Sequence, residues 1–96
     1  MKKVLIVDDA QFMRGILKKI FEENGYEVAG EAETADEGVK KYLSLKPDVV
    51  TMDICMPNKS GIEAIKEIIK QDKKAKILVQ CLGSRIISDG SDSSRR

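Results

Sequence analysis

Ninety-six residues with 42% apolar and 34% charged side chains are the length and composition of one folded, water-soluble domain, not of a disordered or membrane-embedded chain. Seventeen basic residues against sixteen acidic ones leave a net charge of +1, too weak a field to hold nucleic acid or an anionic membrane surface, so neither is an expected partner. No apolar run approaches the length of a membrane span, and the apolar stretch of the opening MKKVLIVDD is too short for a signal peptide and ends in two aspartates. The expected location is the cytoplasm. Two cysteines, Cys55 and Cys81, are too few for a disulfide framework, and a chain without His or Cys-x-x-Cys offers no transition-metal site.

Val4-Leu5-Ile6-Val7 is an all-apolar, β-branched run between charged residues, the pattern of a strand covered on both faces in a parallel sheet. A helix follows, with Phe12, Met13, Ile16, Leu17, Ile20 and Phe21 on its apolar face and Asn24-Gly25 as a left-handed stop. Tyr26 to Ala32 predicts a second strand. Thr34-Ala35-Asp36-Glu37 has the form of a capping box. It opens a helix whose buried stripe is Ala35, Val39, Tyr42 and Leu43 and which ends at Lys46-Pro47. Asp48 to Met52 predicts a third strand running into Asp53, and residues 54–59 a loop. Ser60 and Glu63 form another capping box, with Ile62, Ile65, Ile68 and Ile69 as the apolar face. Lys76 to Cys81 predicts a fourth strand. Strand and helix alternate three times before that last strand, which specifies right-handed βαβ units and a parallel sheet.

After Cys81 the composition changes. Residues 82–96 contain five serines, two glycines and a single apolar pair, Ile86-Ile87. Such a segment buries little, so the expected division is a domain over residues 1–81 and an irregular polar tail over 82–96.

Three carboxylates stand out. Asp8 and Asp9 follow the first strand and Asp53 follows the third. Ligands of open parallel sheets bind outside the carboxyl ends of the strands, where strand order reverses. If strands one and three are neighbours, the three aspartates meet there. They would repel one another unless a hard cation such as Mg²⁺ joined them. A carboxylate in that setting can accept a phosphoryl group as an acyl phosphate. Taken singly, each of these aspartates reads as a turn former; the pairing of two such sites at the ends of apolar strands is what points to chemistry.

VLIVDDAQFMR resembles the opening of response-regulator receiver domains, and PDVVTMDICMPNKSGIEAI is similar to their phosphoacceptor segment, with Ala10, Phe12-Met13-Arg14 and Thr51-Met52-Asp53 nearest the chemotaxis (CheY-like) variant. The resemblance covers residue 2 to about residue 79. It implies an α/β, flavodoxin-like doubly wound parallel sheet, the (βα)5 receiver fold. It implies Asp53 as the phosphoacceptor and Asp8, Asp9, Asp53 and the backbone carbonyl of Cys55 as the Mg²⁺ site. The implied partners are a CheA-like sensor histidine kinase as donor and a motor-switch or adaptor protein downstream, in control of chemotaxis or motility.

The C-terminus departs from that family. Receiver domains place a Ser or Thr at the end of strand four and a Lys at the end of strand five; here strand four ends in Gln80-Cys81 and no lysine follows Lys76. A regular fourth helix, fifth strand and fifth helix have no counterpart in the sequence. With freely chosen wobble bases, a coding string for residues 80–95 read one base later spells SALGQESLVMEAIQAG. That peptide is similar to the missing serine and fourth helix, so a change of reading frame near Val79-Gln80 is the expected cause. Loss of the fifth helix should uncover part of the first helix and one sheet face, and strand four becomes an edge. The alternative function is a pseudo-receiver or switch-defective fragment acting only as an interaction module. A phosphatase with an aspartyl nucleophile ranks last, because Cys55 stands where such sites commonly carry a second Asp and no phosphate-cradling glycine loop is present.

Overall fold

A computed structural model describes residues 1–55 and 60–80 of the chain. Its elements run β1 (Lys2–Val7), α1 (Gln11–Glu23), β2 (Tyr26–Ala32), α2 (Ala35–Leu45), β3 (Val49–Asp53), α3 (Ser60–Gln71) and β4 (Ile77–Gln80). The strands form one parallel sheet in the order β2-β1-β3-β4. β1 is therefore central, and the chain reverses its direction of winding between β1 and β3. This is the flavodoxin-like arrangement, and the reversal point lies between the strands that end in Asp8 and Asp53. The expected tail, residues 82–96, and the loop at 56–59 lie outside the described residues.

Both faces of β1 are covered, which explains its unbroken apolar run. Leu5 and Val7 point to one side, where they pack with Val50 and Met52 of β3 against Ala35 and Tyr42 of α2 and Ala64 and Ile68 of α3. Val4 and Ile6 point to the other side and pack with Leu17 of α1, joined by Phe21, Tyr26, Val28 and Val49. The Phe21 and Tyr26 rings meet edge to face with centroids 5.1 Å apart, which closes the bottom of that smaller cluster. In the β1–β2 pairing Val4 matches Val28 while Leu5 matches Gly30. Ala29 is thus an extra residue, a bulge that bends the edge strand.

The helix ends follow the sequence with two adjustments. Gly25 supplies the left-handed turn after α1 at φ 87°, a conformation that costs glycine little. Thr34 Oγ1 accepts the Glu37 N–H at 3.1 Å, the forward half of the capping box. The Glu37 carboxylate returns to the N–H of Glu33 at 3.1 Å instead of to that of Thr34, one residue beyond the standard partner. Lys46 closes α2 with φ 50°, donating its N–H to the Tyr42 carbonyl at 2.9 Å.

The apolar stripes are narrower than the sequence predicts. On α1 only Leu17 is buried, while Phe12 is 76% exposed and Ile16 and Ile20 also face outward. On α2 Leu43 is exposed, and on α3 Ile62 and Ile69 are. The reason is geometric. A helix lying on a sheet of four strands buries one row of residues, and no described element lies against the flank of α1.

Tyr42 anchors α2 to the end of α3. Its hydroxyl donates to Asp72 Oδ2 at 2.8 Å, and burial, then that hydrogen bond and the Asp72 charge, push the phenol up to about 12. A raised folded value means stability that is complete below the ordinary tyrosine range near 10 and is lost as pH climbs through about 12. Tyr42→Phe should cost about 1 kcal/mol at neutral pH, the usual worth of one hydrogen bond. It should also remove the alkaline loss between roughly pH 10 and 12. Urea unfolding of both proteins at pH 7 and pH 11 tests this, and parallel pH profiles would contradict it.

Candidate functional site

β1 and β3 run side by side, so their carboxyl ends deliver Asp8 and Asp53 to one place. Each aspartate ends its strand in the same local way. The Ala10 N–H donates to Asp8 Oδ1 at 2.9 Å, and the Cys55 N–H donates to Asp53 Oδ1 at 2.8 Å. These are turns in which a short carboxylate takes the amide two residues on. They also fix the plane of each carboxylate. Both side chains are almost fully buried, each only 2% exposed, whereas Asp9 is exposed. One carboxylate oxygen from each of Asp8, Asp9 and Asp53 lies within 4.8 Å of the others. The sequence-derived set therefore converges, with Cys55 immediately beside it.

Among the described residues, two further side chains border Asp8. Arg14, in the first turns of α1, donates Nη1 to the Asp8 carbonyl at 2.6 Å and Nε to Glu31 Oε1 at 3.2 Å. Glu33 lies 3.9 Å from its Nη2. The guanidinium thus ties the loop after β1 to the end of β2. Gln80, at the end of β4, donates Nε2 to Asp8 Oδ2 at 3.2 Å. Its backbone carbonyl accepts the Ile54 N–H at 3.0 Å, and in register it lies opposite Asp53. The sequence flagged neither residue for a site role. Arg14 stands there only in the run Phe12-Met13-Arg14, and Gln80 only as the residue before Cys81.

Gly61 sets the depth of the site's far wall. A side chain there would run into the Asp53 carbonyl oxygen and would stand 3.0 Å from Ile54 Cα. The start of α3 can approach the backbone of Asp53 only because residue 61 has no Cβ.

The electrostatics are unfavourable for the protein alone. Burial raises the Asp8 carboxyl above the ordinary aspartate range; the Ala10 N–H opposes this, the charges of Asp53 and Asp9 add to it, and Arg14 offsets part. Three oxygen donors with repelling charges are the chemistry that a hard divalent cation relieves, and Mg²⁺ is held by one or a few such carboxylates together with water. The residues present fit such an ion.

The model of the response regulator receiver domain matches residues 4–85. The chain belongs to this family. It is 64% identical over 78 residues to the chemotaxis protein CheY of Thermotoga maritima, a match covering 81% of this chain and 65% of that protein. The chain thus spans just under two thirds of that relative's length. Among solved structures, the response regulator TrrA of Thermotoga maritima in complex with Mg²⁺ and beryllofluoride aligns with a TM-score of 0.80 at 43% identity, over 93% of this chain and 76% of that one. The same regulator bound to the histidine kinase ThkA aligns with a TM-score of 0.77, also at 43% identity, over 88% of this chain and 72% of that one. The parallel sheet described above aligns with the fold of those regulators. Among the described residues no helix is long and apolar enough to cross a membrane.

The raised Asp8 carboxyl has a stability consequence in this receiver domain. Because the folded value lies above the unfolded one, the ionised group opposes folding at neutral pH, and the opposition disappears below the unfolded value near 4. In EDTA at pH 7, Asp8→Asn should melt higher than the parent, and the difference should shrink as pH falls toward 4. Added Mg²⁺ should raise the melting temperature of the parent more than that of the variant. Thermal melts across this pH range decide the matter; a variant that melts lower throughout would show that Asp8 stabilises the fold.

Proposed function

We propose that this chain accepts a phosphoryl group on Asp53 in a phosphorelay, with Asp8, Asp9, Asp53 and the Cys55 carbonyl holding Mg²⁺. The observation that carries this reading is the meeting of three carboxylates, two of them buried, at the reversal point of the sheet. The Cys55 N–H holds Oδ1 of Asp53, which leaves Oδ2 as the attacking oxygen. Attack on the phosphorus of a phosphohistidine forms the O–P bond of an acyl phosphate and breaks the P–N bond, and the released imidazole takes a proton from water. A bound cation would neutralise charge on the equatorial oxygens of the transferring group. The protein's own part is placement: the two turns orient the carboxylates, Arg14 fixes the loop that carries Asp8, and Gly61 lets α3 close against Asp53.

The donor in this proposal is a CheA-like sensor histidine kinase, in keeping with the kinase complex of TrrA. The downstream partner is a motor-switch or adaptor protein in the cytoplasm, in keeping with CheY relatives. Domain limits of 1–81, followed by a polar tail, belong to the same proposal. With acetyl phosphate and Mg²⁺, mass spectrometry should find one added phosphoryl group on the parent and none on Asp53→Asn. Equal labelling of both proteins would move the acceptor elsewhere, and omission of Mg²⁺ should lower the rate by at least tenfold, on the order of the loss from one electrostatic partner.

A second reading, a receiver that is phosphorylated without switching, is favoured by the sequence itself. Residue 81 is Cys, a poor hydrogen-bond donor, at the end of strand four where receiver domains place a Ser or Thr. A modification shifts a conformational equilibrium only through contacts that differ between the two states. Beryllofluoride with Mg²⁺ should therefore move the amide resonances of residues 8–10, 53–55 and 80 and leave the outer turns of α1, α2 and α3 in place. Shifts of equal size throughout those helices would mean that the chain switches.

A further inference from the structure

The geometry points to Gln80 as the side chain that receives the phosphoryl oxygens at Asp53, with its amide exchanged from Asp8 onto the phosphoryl group when a cation occupies the cluster. This inference rests on the phosphoacceptor reading above and deepens it.

A phosphoryl group on a buried carboxylate carries oxygens that need donors. The described residues nearby have mostly committed theirs. The Ala10 N–H is on Asp8 and the Cys55 N–H is on Asp53. Arg14 divides its guanidinium between the Asp8 carbonyl and Glu31. Among the described residues, Gln80 is the side chain that donates to a carboxylate of the cluster. It stands opposite Asp53 in the sheet, and its backbone is fixed by the Ile54 N–H, so the amide turns about a fixed point.

The present partner of that amide is also the reason it would move. Asp8 Oδ2 accepts from Gln80 while Asp8 Oδ1 is held by the Ala10 N–H. A cation binding Asp8 lowers the basicity of Oδ2 and weakens its hold on the amide. The two amide hydrogens are then available to an acceptor on Asp53, one strand nearer. Gln80 thus partners Asp8 in one state and the phosphoryl group in the other. No covalent bond to Gln80 forms or breaks.

The test uses the full chain with Mg²⁺ alone and then Mg²⁺ with beryllofluoride as a phosphoryl mimic, each titrated by NMR. Gln80→Met keeps the length of the side chain without the donor, and Gln80→Glu keeps the shape while adding charge. Gln80→Met should bind Mg²⁺ as well as the parent or a few-fold tighter and bind beryllofluoride about tenfold more weakly, the scale of one lost hydrogen bond to a charged group. Gln80→Glu should bind Mg²⁺ tighter still and beryllofluoride weakest of all. A merely structural Gln80 would weaken both ligands together, and that outcome overturns the inference, as does unchanged beryllofluoride affinity in Gln80→Met. Absence of Asp53-dependent beryllofluoride binding in the parent, judged against Asp53→Asn, would instead remove the phosphoacceptor reading and this inference with it.

Discussion

Two buried carboxylates end adjacent parallel strands, and much of the structure can be understood from the cost of keeping them there. Burial and mutual repulsion both disfavour the ionised form, and the Asp8 carboxyl is raised accordingly. Among the described residues, the fold pairs neither carboxylate with a lysine or arginine. It gives each carboxylate one backbone N–H, gives Asp8 one amide from Gln80, and directs Arg14 to a carbonyl instead of a carboxylate. Among the described residues, those choices hold the groups in position while Arg14 offsets only part of the charge. Such a site is poor for stability and has the donor chemistry of a site for a hard cation.

The sheet order makes this arrangement possible. With β1 central and β3 beside it, the connections leave in opposite directions from the two strand ends, and a crevice opens between them. α1 occupies one face while α2 and α3 share the other. The site therefore touches both layers: Asp8 leads into α1, and Asp53 leads into the loop before α3. Gly61 holds that second connection close to the sheet. A change of charge at the cluster is transmitted first to these two connections, because they are what the carboxylates are bonded to.

The strands were legible because both-face burial leaves an unmistakable trace: Val4 to Val7 has no polar residue to break it, and none is needed in a central strand. The three aspartates were legible because each follows such a run. The outer positions of the helices were not. Phe12, Ile16, Ile20, Leu43, Ile62 and Ile69 fit a helical period as well as the residues that are buried, and periodicity records which side is apolar, not how wide a strip the neighbouring layer covers. Arg14 and Gln80 were hidden for another reason. Their roles come from partners 6 to 72 positions away along the chain, and nothing in local spacing encodes such contacts. The capping box at Thr34 was half legible: the hydroxyl behaves as its spacing specifies, while the glutamate reaches one residue farther because the Glu33 amide is within its arc.

The least supported strand carries one of the site's few side-chain donors. β4 has four residues and, among the described residues, one neighbouring strand. Leu78 and Val79 lie on its opposite faces with about half of each exposed, at 51% and 49%. Apolar burial is what holds an edge strand in place, so β4 gains less from its side chains than β1 or β3 does. Opening of weakly packed elements is local and precedes global unfolding. Asp8 follows β1 and Asp53 ends β3, the two best-buried strands, whereas Gln80 ends β4. The carboxylates and the amide donor thus depend on different parts of the core. Any element that covers the exposed flank of α1 and the edge of β4 would strengthen the donor side of the site without touching the carboxylates, so the placement of Asp8 and Asp53 and the support of Gln80 are physically separable in this chain.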